Sequence, residues 1–112
     1  MSEATQEMHV LTDNDFHAVI DQSDVPVVVD FWSPWCMPCR FMTPILEDKA
    51  RQYGGRMLFG KLDVQQNPRI AGEYQVAAVP TLIVFKDGQP AGKMVGLTSP
   101  AEVESWLDQL SK

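Results

Sequence analysis

The apolar residues of this chain follow two spacings, which together predict alternating strands and helices. Residues 25–32 hold an almost unbroken apolar run without alternating polar positions, and this pattern is typical of a strand buried on both faces. Further apolar runs at 57–64 and 81–85 predict two more strands, and a short stretch at 9–11 predicts a first one. A strand buried on both faces belongs to a sheet covered by helices on both sides.

The first two helices are marked by their start signals and by one proline. Thr12 and Asp15 have the spacing of a capping box, with Asp15 in place of the usual Glu, and Phe16 begins an apolar helix face. Residues 39–53 predict a longer helix, ended by two glycines. Pro44 lies inside this helix and should kink it, because proline removes one backbone hydrogen bond.

Two later helices also have clear start signals. Asn67 followed by Pro68 predicts the start of a helix that runs through Tyr74. Ser99 and Glu102 form a full capping box, with proline after the cap. The apolar stripe of this last helix consists of Val103, Trp106, Leu107 and Leu110.

The dipeptide Asp87-Gly88 predicts a tight hairpin, so the strand expected at 92–96 should run antiparallel to the strand before it. The predicted element order is β-α-β-α-β-α-β-β-α. This order indicates an α/β fold with a mixed sheet that is parallel in its first half. We expect one domain over residues 1–112, with residues 1–8 as a flexible tail.

Composition and charge narrow the possible functions. The chain of 112 residues carries nine Lys and Arg against 15 Asp and Glu, a net charge of −6. Nucleic acid and anionic membranes both favour a basic face, so neither is the expected partner. The polar, acidic first residues lack the features of a signal peptide, and no apolar stretch is long enough to span a bilayer. We therefore expect a cytoplasmic protein.

The two cysteines lie where the buried strand leads into the long helix. Structural disulfides are rare in the cytoplasm, so Cys36 and Cys39, three residues apart, point to catalysis or metal binding. A helix N-terminus favours a thiolate, and residues i and i+3 share one helix face, so the pair could close into a disulfide and reopen. Pro38 fits the first turn. In this interpretation Cys36 is the more exposed nucleophile and Cys39 resolves the mixed disulfide. A zinc half-site and two inert thiols are the alternatives; structural zinc usually needs four ligands.

Asp30 is a lone carboxylate inside an apolar run, where burial should raise its pKa. It precedes Cys36 by six residues, and we propose it as the proton acceptor for Cys39. The alternative is an aspartate at a strand end that binds backbone. Lys61, in the second long strand, either pairs with Asp30 and lowers its pKa or lies on the surface.

Pro80 stands at the start of the third long strand. The sequence alone favours a trans Val79–Pro80 bond, because cis bonds are uncommon even before proline. A cis bond would turn the backbone of Val79 outward, free to pair with an extended peptide.

We expect different surroundings for the three tryptophans. Trp35 should be partly exposed and form a docking surface, whereas Trp32 and Trp106 should belong to the core.

The motifs of this chain resemble those of the thioredoxin family. The similarity covers about residues 11–110 and follows the family's order and spacing. It rests on Trp35-Cys36-x-Pro38-Cys39 after Val29-Asp30-Phe31-Trp32, then Lys61, Val79-Pro80-Thr81, Asp87-Gly88 and Gly96. The resemblance implies the thioredoxin fold, a central mixed sheet flanked by helices on both faces.

The resemblance also implies roles for the site residues. Cys36 would attack a substrate disulfide, Cys39 would resolve it, and Asp30 would be the buried base beside Lys61. Pro80 would be cis. The docking groove would be bordered by Trp35, Ala78, Val79 and Gly96, with Val79 pairing to the substrate backbone. A thioredoxin reductase would re-reduce the pair, the clients would be disulfide-containing proteins, and no bound cofactor would be needed.

Met37 departs from the family, which typically has glycine between Cys36 and Pro38. Methionine favours the helix over glycine by about 0.8–1 kcal/mol and carries no charge that could stabilise a thiolate, so we expect a reducing protein. Met37 also adds apolar, oxidisable surface that could redirect partner choice. Arg40 stands where lysine is common, and its charge is conserved.

Three other functions compete with a cytosolic disulfide reductase. A dithiol oxidase or isomerase would use the same cysteines, but no histidine lies between them. A binding module would use Trp35, Met37 and Val79 as its surface, and a metal carrier would use the cysteines as ligands. We expect a monomer, because a dithiol that docks on many proteins needs its face free.

Overall fold

The computed structural model describes residues 8–111, so the predicted tail lies outside the described residues except for Met8. Met8 is half-buried and packs against the core, so it does not belong to a free tail. The described elements follow the predicted order. They are β1 His9–Val10, α1 Phe16–Gln22, β2 Val27–Trp32, α2 Met37–Gln52, β3 Leu58–Asp63, α3 Pro68–Glu73, β4 Thr81–Lys86, β5 Gln89–Val95 and α4 Pro100–Leu110.

The described strands form one mixed sheet in the order β1-β3-β2-β4-β5. β3 lies between β1 and β2 and runs parallel to both, whereas β4 runs antiparallel to β2 and β5 antiparallel to β4. The prediction of a sheet that is parallel in its first half is therefore confirmed. β2 lies at the centre, with Asp30 opposite Lys61 on β3 and Leu82 on β4.

Each face of the sheet has its own core. Val27, Val29 and Phe31 pack with residues of α1 and α3, and Val28 packs with residues of α2 and α4. Because side chains alternate along a strand, Asp30 lies on the same face as Val28, beneath α2. The continuous apolar run of β2 thus follows from its burial on both faces.

Several boundaries differ from the prediction. Thr12 and Asp15 make both reciprocal bonds of a capping box, but residues 13–15 form a turn and the helix begins at Phe16. β2 begins after Pro26, which has no N–H to donate to a strand ladder. The first strand was predicted to include Leu11, but β1 ends at Val10, and Leu11 is buried just beyond it.

The hairpin turn forms where it was predicted. Asp87 and Gly88 both have positive φ, 54° and 79°, which suits a two-residue turn between antiparallel strands. β5 consequently begins at Gln89, directly after the turn, and the predicted start at residue 92 is wrong. The capping box of Ser99 and Glu102 is also confirmed.

Candidate functional site

The two cysteines occupy the turn between the central strand and α2. β2 ends at Trp32, and α2 begins at Met37 with Cys36 as its N-cap. The Sγ atom of Cys36 accepts a hydrogen bond from the backbone N–H of Cys39 at 3.1 Å. Sulfur thus fills the capping position that an oxygen usually fills. This cap explains why α2 begins two residues before the predicted start at 39.

Cys36 and Cys39 form a disulfide, with their Cα atoms 5.3 Å apart. Cys36 is 5% exposed and Cys39 is 1% exposed. The order of exposure is the expected one, although both cysteines are buried. The Cys39 N–H and the positive end of the α2 dipole are directed at the Cys36 sulfur, an arrangement that favours the thiolate form of a cysteine.

A cis peptide bond lies beside the disulfide. The Val79–Pro80 bond is cis, and the carbonyl oxygen of Val79 lies 3.6 Å from the Cys36 Sγ. The Thr81 hydroxyl donates to the Ala78 carbonyl at 2.6 Å, and the Gly96 N–H donates to the Pro80 carbonyl at 2.8 Å. The fold therefore brings the segment at 78–81 and Gly96 next to the cysteine turn.

An apolar groove of about 290 Å³ opens next to this segment. Three predicted docking residues line it, namely Trp35, Ala78 and Val79. Val64, Val76 and Ala77 also line it and were missed by the sequence analysis, since each has the pattern of an ordinary core or loop residue. Met37, Pro38 and Gly96 do not line this groove; Met37 and Pro38 are exposed on the first turn of α2.

Trp35 is held by a residue that the sequence analysis also missed. Its indole Nε1 donates to Oε1 of Gln65 at 3.1 Å. Gln65 is itself anchored, because its backbone N–H donates to Oδ1 of Asp63 at 2.9 Å. The two partners are thirty residues apart in sequence, and no local pattern marks this contact.

Asp30 is 2% exposed, and its Oδ1 has no hydrogen-bond partner among residues 8–111. Burial raises its pKa from 3.8 to about 7, while the opposing charge of Lys61 acts to lower it. The carboxyl group lies on the α2 side of the sheet, the side on which Cys39 is buried. A carboxyl with a pKa near neutrality can accept and return a proton under physiological conditions.

Lys61 is half-buried, acts electrostatically on Asp30 and lies over an aromatic ring. It is the register partner of Asp30, and its Nζ lies 5.4 Å from the ring centroid of Trp32. Such a distance permits a cation–π interaction.

Trp32 and Trp106 are both half-buried, so the prediction that they are core residues was only partly right. The Nε1 of Trp32 has no hydrogen-bond partner within the described residues.

A cysteine pair at a helix N-terminus that closes into a disulfide, beside a cis proline, defines the class of thiol–disulfide exchange proteins. Comparisons with known proteins agree with this class. The family model Thioredoxin matches residues 7–109. Thioredoxin 1 of Nostoc sp. is 38% identical over 109 residues, 97% of this chain and 98% of that protein. Thioredoxin of Staphylococcus aureus is 43% identical over 99 residues, 88% of this chain and 93% of that protein.

The chain belongs to the thioredoxin family. It has the thioredoxin fold, and its activity is that of a protein-disulfide oxidoreductase acting on disulfide-containing clients. No helix among residues 8–111 is long and apolar enough to cross a membrane.

Proposed function

We propose that this protein carries electrons from a thioredoxin reductase to the disulfides of client proteins, with Cys36 as nucleophile and Cys39 as resolving thiol. The observation that carries the assignment of Cys36 as nucleophile is the helix cap, in which the Cys36 sulfur accepts a hydrogen bond from the backbone N–H of Cys39. Cys36 is the more exposed of the two residues, and its sulfur lies beside the Val79 carbonyl.

In the first step the Cys36 thiolate attacks one sulfur of the client disulfide. An S–S bond forms between Cys36 and the client, the client's own S–S bond breaks, and the leaving client thiolate takes a proton. Val79 pairs with the client backbone beside the reacting sulfurs. Trp35, Ala78 and Val79 supply the apolar wall of the groove, while Met37, Pro38 and Gly96 border the same docking face.

In the second step Asp30 accepts the proton of the Cys39 thiol. The Cys39 thiolate attacks Sγ of Cys36, the Cys36–Cys39 disulfide forms, and the second client thiolate leaves and is protonated. Two electrons pass from the two cysteines to the client. One of the two protons that the client thiolates take up comes from Cys39 by way of Asp30 and the other comes from solvent, and the product is the oxidised protein seen in the structure. Lys61 keeps the Asp30 pKa from rising further, so the carboxylate form remains accessible near neutral pH.

A thioredoxin reductase then returns two electrons to the Cys36–Cys39 pair. The cycle needs no bound cofactor, because all of the chemistry takes place between sulfur atoms. A reducing compartment suits this cycle, and we assign the protein to the cytoplasm. It acts as a monomer, which leaves the face around Cys36 open to clients.

The role of each cysteine is tested by trapping with a dye-labelled disulfide peptide. After reduction of the protein, Cys39→Ser should hold the peptide in a stable mixed disulfide, because the resolving thiol is gone. Cys36→Ser should trap little peptide, and the double Cys→Ser variant none. Equal trapping by both single variants would contradict the assignment of Cys36 as the nucleophile.

A further inference from the structure

The exposed large hydrophobic side chains are concentrated around the disulfide. Among residues 8–111 they are Val10, Trp35, Met37, Phe41, Val95 and Leu97. Only Val10 belongs to a distant edge of the sheet, on β1. The other five belong either to the cysteine turn and α2 or to the segment at 95–97, whose Gly96 binds the Pro80 carbonyl.

Met37 and Phe41 form an apolar ridge on α2, which we call the Met37–Phe41 ridge. They are four residues apart, so they lie on one face of the helix, about 6 Å apart along its axis. Met37 is 58% exposed and Phe41 is 59% exposed. No acidic residue lies in the first turn of α2. The guanidinium group of Arg40 binds the Pro34 carbonyl at 3.4 Å.

The ridge is continuous with the site of disulfide exchange. Met37 directly follows Cys36, so residues next to a client cysteine that reacts at Cys36 are within reach of the first turns of α2. An extended client chain advances about 3.3 Å per residue, and its side chains return to the same side every second residue. Phe41 lies five positions after Cys36, about 7.5 Å further along the axis, so about two client residues span the distance from the reacting cysteine to its ring.

We propose that the Met37–Phe41 ridge binds a large apolar side chain of the client, two residues from the cysteine that Cys36 attacks. The inference rests on the proposed function and adds a client class to it: disulfides flanked at that position by a large aliphatic or aromatic residue. Phe41 becomes a specificity-determining residue, since contact with its ring removes apolar surface of both partners from water. The ridge contributes through client binding and takes no part in the sulfur chemistry.

The test uses pairs of disulfide peptides that differ in one residue, Leu or Ser, placed two positions from the cysteine on either side in turn. Dithiothreitol regenerates the reduced protein, so no reductase is needed. The wild-type protein should favour one Leu peptide over its Ser partner by about 5- to 10-fold in kcat/KM. This is below the roughly 10- to 200-fold that a methylene contributes in a closed hydrophobic pocket, because an exposed ridge buries less apolar surface. Phe41→Ala should abolish most of this preference through KM, with kcat unchanged.

Two variants make the result specific. Phe41→Leu should retain most of the preference, because it keeps an apolar side chain on the ridge. Val10→Ala is the matched control, since Val10 is 69% exposed but lies on β1, and this variant should behave as wild type. Phe41 is exposed, so its replacement should leave the fold intact.

The proposal is overturned if the wild-type protein shows no preference on either side, or if Phe41→Ala slows both peptides equally. It is also overturned if sedimentation shows that the reduced protein is a dimer that Phe41→Ala dissociates, because a second copy would then occupy the ridge. Failure of the proposed function is distinct, because the wild-type protein would then reduce neither peptide nor the small substrate bis(2-hydroxyethyl) disulfide.

Discussion

Asp30 and Lys61 are register partners on the parallel strands β2 and β3, and the ammonium group opposes the effect of burial on the carboxyl group. Burial is the larger effect, so the pKa of Asp30 rises to about 7 instead of falling. This balance places a carboxyl group with a pKa near neutrality beneath α2, on the same face of the sheet as the buried Cys39.

The raised pKa of Asp30 predicts a pH-dependent stability. An acid with a higher pKa in the folded state binds its proton more tightly there, so the free energy of unfolding falls as pH rises from 3.8 through about 7. Over this pH range the free energy of unfolding should fall by an amount on the order of 4 kcal/mol. Asp30→Asn should remove most of this dependence and should be more stable than the wild-type protein at pH 8. Urea unfolding of the oxidised protein at pH 4 and pH 8 measures both effects; parallel curves for the two proteins would contradict the burial of a titrating carboxyl group.

Replacement of Lys61 should raise the pKa of Asp30. Lys61 favours the charged form of Asp30, so Lys61→Met should raise the Asp30 pKa above its value of about 7. Carbonyl-edited NMR of Asp30 follows the titration directly, and Lys93→Met serves as a control on a different strand. A lower or unchanged Asp30 pKa in Lys61→Met would show that the ammonium does not act on this carboxyl group.

The strands were predictable because burial leaves a strong local signal. The apolar run around Val29 indicated the central strand, and Asp87-Gly88 indicated the hairpin through the positive φ that both residues adopt. The boundaries were less predictable, because they depend on hydrogen bonds made by particular atoms. The start of α2 is one case, since it depends on the sulfur of Cys36 acting as a cap.

The site was predictable as far as the chemistry lies in short motifs. The cysteine pair and the proline after Val79 were identified from the sequence and from the family resemblance. The groove residues Val64 and Val76 were not identified, because they reach the site only through the folded topology. Gln65 was missed for the same reason, since a hydrogen bond across thirty residues has no local signal.

Gln65 should matter for client binding through the orientation of Trp35. Gln65→Ala removes the acceptor of the indole N–H, and an ordinary hydrogen bond of about 0.5–1.5 kcal/mol corresponds to a rise in KM of roughly 2- to 10-fold. The kcat value should not change, and the Trp35 indole proton should exchange faster with solvent by NMR. Gln65→Glu keeps an acceptor and should behave close to wild type. Unchanged indole exchange in Gln65→Ala would mean that this bond does not hold the ring.

Met37 should have little effect on the redox potential. Its side chain is exposed and uncharged, so Met37→Gly removes no group that could stabilise the Cys36 thiolate. We expect the potential of the Cys36–Cys39 couple to change by less than about 30 mV, which corresponds to about 1.4 kcal/mol. Equilibration of both proteins with a common dithiol buffer measures the difference. A large shift of Met37→Gly toward oxidising values would show that methionine sets the potential.

The most direct test of the account is the reduction potential of the Cys36–Cys39 couple, measured in glutathione buffers and followed by the fluorescence of Trp32 and Trp35. A client reductase should have a potential more negative than the cytosolic glutathione pool, which lies at about −220 to −260 mV by biochemical extraction. A value below that range would support electron flow from this protein to client disulfides. A value at or above it would contradict the account and indicate an oxidase or isomerase.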